Sequence, residues 1–138
     1  MNLKSLKKLL KMYKLSKRSR SRLDGISPVL IQIVEEAIKE SPYDFGIPSF
    51  GGLRTAEEQH YLFNKKVSKC DGFDKKSYHQ SGNAFDIFAY VDGKATWKHE
   101  YYKPIANHIM KIAKEQFNTE LSWGGNWKNF VDLPHFQI

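Results

Sequence analysis

The sequence is poor in cysteine, with a single one, Cys70, in 138 residues. A disulfide framework within the chain is therefore excluded, and so is a metal site built on repeated thiolates. Cys70 sits in the charged stretch Lys69-Cys70-Asp71-Gly72 and reads as a bystander thiol. No apolar run reaches the ~20 residues needed to cross a bilayer. The basic N-terminus lacks the apolar core of a signal peptide, because lysines interrupt its leucines. The expectation is a protein made and held in the cytoplasm until something else releases it. Acidic residues are missing from the first 22 positions, which carry nine Lys and Arg. The other 116 residues hold 13 basic and 15 acidic groups, so the net +7 belongs to the N-terminal arm. The high isoelectric point therefore says little about the body. Internal repeats are absent too.

What is present divides at residue 22 into a basic arm (1–22) and a body (23–138). In the arm, Leu3, Leu6, Leu9, Leu10 and Tyr13 share one helical face, and Lys4, Lys7, Lys8, Lys11 and Lys14 share the other. That pattern predicts a short amphipathic helix, followed by a polar, mobile linker over Ser16–Ser21. Three roles fit such an arm: packing on the body, contact with an anionic surface such as phospholipid or lipopolysaccharide through residues 1–20, or contact with nucleic acid. The interspersed leucines favour a membrane surface over nucleic acid.

The body is long enough for a hydrophobic core of its own. Ser27-Pro28 opens a helix that runs to Ser41-Pro42. Phe45–Phe50 reads as a strand. Thr55-Ala56-Glu57-Glu58 is a capping box, and its helix runs from Ala56 to about Lys66. Ala84–Val91 reads as one strand, turned at Asp92-Gly93 into Lys94–Trp97. A third helix starts at Pro104. Leu121–Trp123 and Pro134–Ile138 are short strands. The expected class is α+β, with helices packed on a small, mostly antiparallel sheet.

Two segments carry the chemistry: Ser77-Tyr78-His79-Gln80-Ser81-Gly82-Asn83-Ala84-Phe85-Asp86 and Asp132-Leu133-Pro134-His135-Phe136. His79 and Asp86 are too far apart for one helical turn, but a loop and strand can bring them together, with Gly82 for the turn and Ala84 for room. His135 completes a set of two imidazoles and one carboxylate. Such N/O ligation without thiolate fits a catalytic zinc better than a structural one. Asp132 is the candidate general base, with Glu120 as its rival. Arg54, at a helix start where the dipole disfavours a cation, is the candidate for binding a substrate carboxylate or stabilising an oxyanion. Ser77, Gln59 and Trp123 are expected beside the ligands or the substrate. His60, His99 and His108 have no partners in the pattern.

The same residues resemble the zinc-dependent peptidases of the D-Ala-D-Ala/L-Ala-D-Glu superfamily, and within it the L-alanyl-D-glutamate endopeptidases of bacteriophage endolysins. Four blocks occur in that family's order: Arg22-Leu23-Asp24-Gly25 to Phe45, Gly52-Leu53-Arg54-Thr55 with Glu58-Gln59, the histidine–aspartate block, and Trp123-Gly124-Gly125-Asn126-Trp127 through Phe136. The resemblance implies a Hedgehog/D-Ala-D-Ala peptidase-like fold, with His79, Asp86 and His135 as zinc ligands, Asp132 as base and Arg54 on the substrate. It implies a monomeric enzyme of the host cytoplasm that reaches peptidoglycan at lysis, with no nucleic-acid partner. The ending D-x-P-H-F points to the endopeptidase branch. A D,D-carboxypeptidase acting on D-Ala-D-Ala termini and a non-catalytic protein with structural zinc are the rival readings. Removing residues 1–20 is expected to leave the body active on purified wall.

Overall fold

The computed structural model describes Asn2 and residues 12–138. The amphipathic helix expected in the arm lies, as far as residue 11, outside the described residues. Ser16–Ser21 departs from the expected mobile linker. Lys17–Arg22 forms a helix, α1, whose N-cap Ser16 accepts the Ser19 N–H at 3.0 Å. Its polar composition hides two tertiary anchors: Leu15 joins the hydrophobic core, and Ser19 is buried with its hydroxyl accepting the Ile47 N–H at 2.9 Å.

Helix α2 (Pro28–Ala37), with proline in its first turn, ends in a 3-10 turn over Ile38–Glu40. It buries Leu30, Ile33, Val34 and Ala37. Strand β1 is Asp44–Gly46, shorter than expected, since Pro48 cannot continue a ladder. Helix α3 (Ala56–Asn64) begins at the anticipated capping box, in which Thr55 and Glu58 bond each other's backbone N–H.

The expected strand Ala84–Val91 is two strands, β2 (Ala84–Asp86) and β3 (Phe88–Val91), in different sheets. Between them, buried Ile87 donates its N–H to Pro134 O at 3.0 Å and carries the chain from one sheet to the other. Asp92-Gly93 makes the predicted hairpin, both residues with positive φ, into β4 (Lys94–Thr96).

Helix α4 spans His99–Phe117, so it starts five residues before Pro104. The proline gives up one backbone bond inside the helix. The first turn forms nonetheless, because Tyr102 is buried and its hydroxyl accepts from Ala89 N and donates to Thr96 O. Strands β5 (Ser122–Trp123) and β6 (His135–Gln137) complete the chain.

The sheet is thus two three-stranded antiparallel sheets, β1-β3-β4 and β2-β6-β5. Helices α2 and α4 pack on each other, and the imidazole of His108 on α4 donates to Ala37 O at the end of α2. Phe85 and Phe136 stack at 5.1 Å across β2 and β6. That pairing places the two chemical segments on neighbouring strands, with Asp86 opposite His135.

Candidate metal centre

Each of the three expected ligands is delivered by a different local device. His79 lies on a 3-10 turn, Tyr78–Ser81, capped by Ser77 and Gln80, whose side chains bond the turn's backbone N–H groups. The turn ends at Gly82, whose φ of 76° suits glycine. Asp86 closes β2 and His135 opens β6. A strap over residues 47–54 wraps the outside. Phe50, at φ 61°, turns it, so that Gly51 O accepts the Asp86 N–H at 2.8 Å and Gly52 O meets His79 Nδ1 at 2.9 Å.

Three atoms then converge. His79 Nε2 is 3.1 Å from Asp86 Oδ1 and 3.1 Å from His135 Nδ1, and His135 Nδ1 is 3.0 Å from Asp86 Oδ1. These edges are short enough for one ion to sit about 2.0–2.1 Å from all three. Among the described residues no other group of three His, Cys, Asp or Glu side chains converges in this way.

The tautomers decide what the centre is for. Gly52 O can only accept, so His79 carries its proton on Nδ1 and aims a lone pair from Nε2 inward. Gln137 Oε1, at 2.7 Å, likewise holds a proton on His135 Nε2 and frees Nδ1. Two lone pairs and a carboxylate oxygen facing one another at about 3 Å repel unless a positive charge joins them. The charge is a metal ion, or in its place a proton on His135.

The electrostatics agree. Burial works to raise the Asp86 carboxyl, but the imidazoles of His79 and His135 overcome it and hold Asp86 well below the usual carboxylate range. Burial would depress His135, yet its bonds to Asp86 and Gln137 and the charge of Asp132 lift it above the ordinary imidazole value. A metal must displace that proton. At pH 6.0, below the ordinary imidazole value of about 6.5, His135 is mostly protonated in the metal-free protein, and metal binding is expected to release protons. Titration calorimetry in buffers of different ionisation enthalpy measures this. A binding heat that does not vary with buffer would contradict the assignment of the proton.

Arg54 is bonded to Asp86, one of the three expected ligands. Its Nη2 donates to Asp86 Oδ2 at 3.0 Å, its Nη1 to Gln59 Oε1 at 2.9 Å and its Nε to Phe50 O at 2.7 Å. The pair is shielded, with 10% of the Arg54 side chain and 18% of the Asp86 side chain exposed. Asp86 therefore points one oxygen at the imidazoles and the other at a fixed guanidinium. Gln59 is fully buried and donates from its amide to Ser68 Oγ and Cys70 O, tying α3 and Arg54 to the loop that follows.

Asp132 shares one cleft with Arg54, His79, Asp86, His135 and Ser77, a concavity of about 490 Å³. Its backbone N–H donates to Gly124 O, and its carbonyl accepts the His135 N–H. Burial first, and then the negative charge of Asp86, raise the Asp132 carboxyl, with His135, His79 and Arg54 pulling the other way. Trp123 does not line the cleft. It is buried and props the loop from beneath by donating to Leu133 O at 2.8 Å. Trp127 is the wall, 5.2 Å from the His135 ring. Glu120 is 81% exposed and paired with Lys114, away from the site. His60 and His108 bond backbone carbonyls elsewhere.

Sequence reasoning missed Gly52 and Gln137. Gln137 had a signal, since two residues along a strand is the same face as His135. Gly52 had none, because its role is a carbonyl. A Cβ at Gly52 would lie 1.9 Å from Arg22 O. Gly52→Ala is therefore expected to cost about 1–3 kcal/mol in stability and, by moving the carbonyl from His79, about 10–100-fold in metal affinity. Thermal melting and metal titration check the two effects separately.

Comparison with known proteins agrees with this geometry. A family model described as phage L-alanyl-D-glutamate peptidase matches residues 11–136. The chain belongs to that family. The L-alanyl-D-glutamate peptidase of Escherichia phage T5 is 29% identical over 119 residues, covering 83% of this chain and 82% of that one. The peptidoglycan L-alanyl-D-glutamate endopeptidase CwlK of Bacillus subtilis is 31% identical over 98 residues, 63% of this chain and 57% of CwlK. Among solved structures, the Serratia marcescens L-Ala D-Glu endopeptidase ChiX superposes with a TM-score of 0.80 at 29% identity, covering 94% of this chain and 92% of ChiX. The expected α+β peptidase fold is thus the family's own.

Proposed function

We propose that this phage-type peptidase is a zinc endopeptidase that hydrolyses the L-alanyl–D-glutamate bond of peptidoglycan stem peptides and acts as an endolysin. One observation carries the reading: three inward-facing donors with fixed tautomers share a cleft with a carboxylate that is not among them. The family and its named relatives supply the bond. His79, Asp86 and His135 would hold the ion, and zinc fits two imidazoles, one carboxylate and no thiolate. A bound zinc ion supplies Lewis acidity that acidifies water and polarises a carbonyl. The protein's own groups do the rest. Asp132 takes a proton from the attacking water and passes it to the leaving amine as the C–N bond breaks. Arg54 fixes Asp86, and Trp127 walls the site. Asp132 and the Arg54–Asp86 pair weigh against a purely structural metal.

The decisive experiment is mass spectrometry of purified Gram-negative peptidoglycan digested with the zinc-loaded protein beside an EDTA-treated control. Stem peptides newly beginning at D-glutamate, released only with zinc, are the expected products. Release of free D-alanine alone would make the protein a carboxypeptidase, and no cleavage with zinc bound would make the metal structural. The reading also carries a monomer held in the host cytoplasm until lysis, with residues 1–20 touching an anionic surface. Analytical ultracentrifugation and binding to anionic vesicles test those two parts.

A further inference from the structure

The cleft has a charged rim that the chemistry above leaves without a task. Lys69, Lys75 and Lys76 line it, all three exposed, in the same concavity as His79, Asp132 and His135. Lysines at a surface are usually just solvated, but three observations set these apart. Lys69 is held over the cleft by the ring of Phe130, 5.5 Å from its Nζ, and among the described residues no ion pair occupies any of the three charges. Arg54, the cation expected to meet substrate carboxylate, has its charge offset by Asp86 and 10% of its side chain exposed. The loop that bears the lysines is also built: buried Gln59 holds Ser68 and Cys70 O, Gln80 donates to Gly72 O, and the Asp71 carboxylate accepts the N–H groups of Phe73 and Lys75. The backbone beneath the charges is thus fixed before a ligand arrives.

A cationic lip held beside a hydrolytic centre suits an anionic group beside the scissile bond. Peptidoglycan offers one. Because D-glutamate continues the stem through its side-chain carboxyl, its α-carboxylate stays free, one carbon from the leaving nitrogen. Resting on the function proposed above, we infer that Lys69, Lys75 and Lys76 bind this α-carboxylate. The enzyme therefore selects stem peptides that carry it over those in which it is a carboxamide.

The test uses the zinc-loaded full chain and three synthetic peptides: N-acetyl-L-Ala-γ-D-Glu-L-Lys-D-Ala, its D-glutamate α-carboxamide, and its C-terminal carboxamide. Wild type is expected to cleave the first and third alike and the second about tenfold less efficiently in kcat/KM, as a few exposed pairs acting together would give. The preference should shrink in 0.5 M salt as screening tightens. The triple variant Lys69→Gln, Lys75→Gln, Lys76→Gln should cleave the first and second peptides equally, while Lys111→Gln, on the outer face of α4, keeps the wild-type preference. Equal cleavage of the first two peptides by wild type overturns the inference, as does a preference that survives the triple variant. Loss confined to the C-terminal carboxamide would move the lysines to a distal carboxylate and overturn it equally. If no peptide is cut, the proposed function fails and takes the inference with it.

Discussion

Asp132→Ala is expected to keep metal affinity within a few-fold of wild type and to lower turnover by about 10²–10⁴, the usual contribution of a general base. The separation follows from geometry. The three converging donors belong to His79, Asp86 and His135, while Asp132 reaches the site as a neighbouring charge from the same cleft. The variant should not lose stability either. The folded protein raises the Asp132 carboxyl, chiefly by burial, so it binds that proton more tightly than the unfolded chain. By linkage, a raised acid costs stability as pH climbs past the ordinary aspartate value, and the whole cost is in place above the raised one. At neutral pH the ionised Asp132 is therefore a burden on the metal-free fold. Asp132→Asn, which keeps the shape, should melt at or above the wild-type temperature while hydrolysing peptidoglycan far more slowly. Near-normal turnover in either variant would remove Asp132 from the mechanism.

The contrast between Asp132 and Arg54 shows what a sequence can disclose. Ligand identity lies in residue type and spacing, so His79, Asp86 and His135 could be read as a set, and pairing of β2 with β6 puts Asp86 opposite His135. Local signals with a mechanism also held: the Thr55–Glu58 capping box and the Asp92-Gly93 turn need no tertiary partner. Failures came where distant residues decide. Nothing local marks Ile87 as the point where one strand becomes two, since an apolar run has no internal boundary. Pro104 reads as a helix start because the anchoring of Tyr102 by Ala89 and Thr96, which brings the preceding turn into the helix, is tertiary. Arg54 stands out at its helix start, but its partner Asp86 lies 32 positions away, so a bond to Asp86 and a bond to substrate read alike in the sequence.

The N-terminal segment gives the second large effect, and it reverses an expectation. Deleting residues 1–20 should unfold much of the protein rather than release an independent body. The deletion removes Leu15 from the core and the Ser19 hydroxyl from the Ile47 N–H. Losing a buried leucine costs about 2–5 kcal/mol, and orphaning a buried N–H costs about 1–3 kcal/mol. A domain of this size has about 5–15 kcal/mol in total. The damage also lands on the catalytic strap. Arg22, left at a frayed end, is the residue whose guanidinium donates to Ile47 O and Ser49 Oγ, and the same strap presents the Gly51 and Gly52 carbonyls to Asp86 and His79. Metal affinity and hydrolysis of purified peptidoglycan should therefore fall together with the melting temperature. Deleting residues 1–11 spares every one of these contacts. A 1–20 deletion that melts within a few degrees of the full chain would show that α1 adds nothing to the body. The distinction governs how the arm is studied. If the shorter deletion loses action on intact cells while keeping it on purified wall, the loss belongs to the basic residues before position 12. The same loss after the longer deletion cannot be separated from collapse of the metal site.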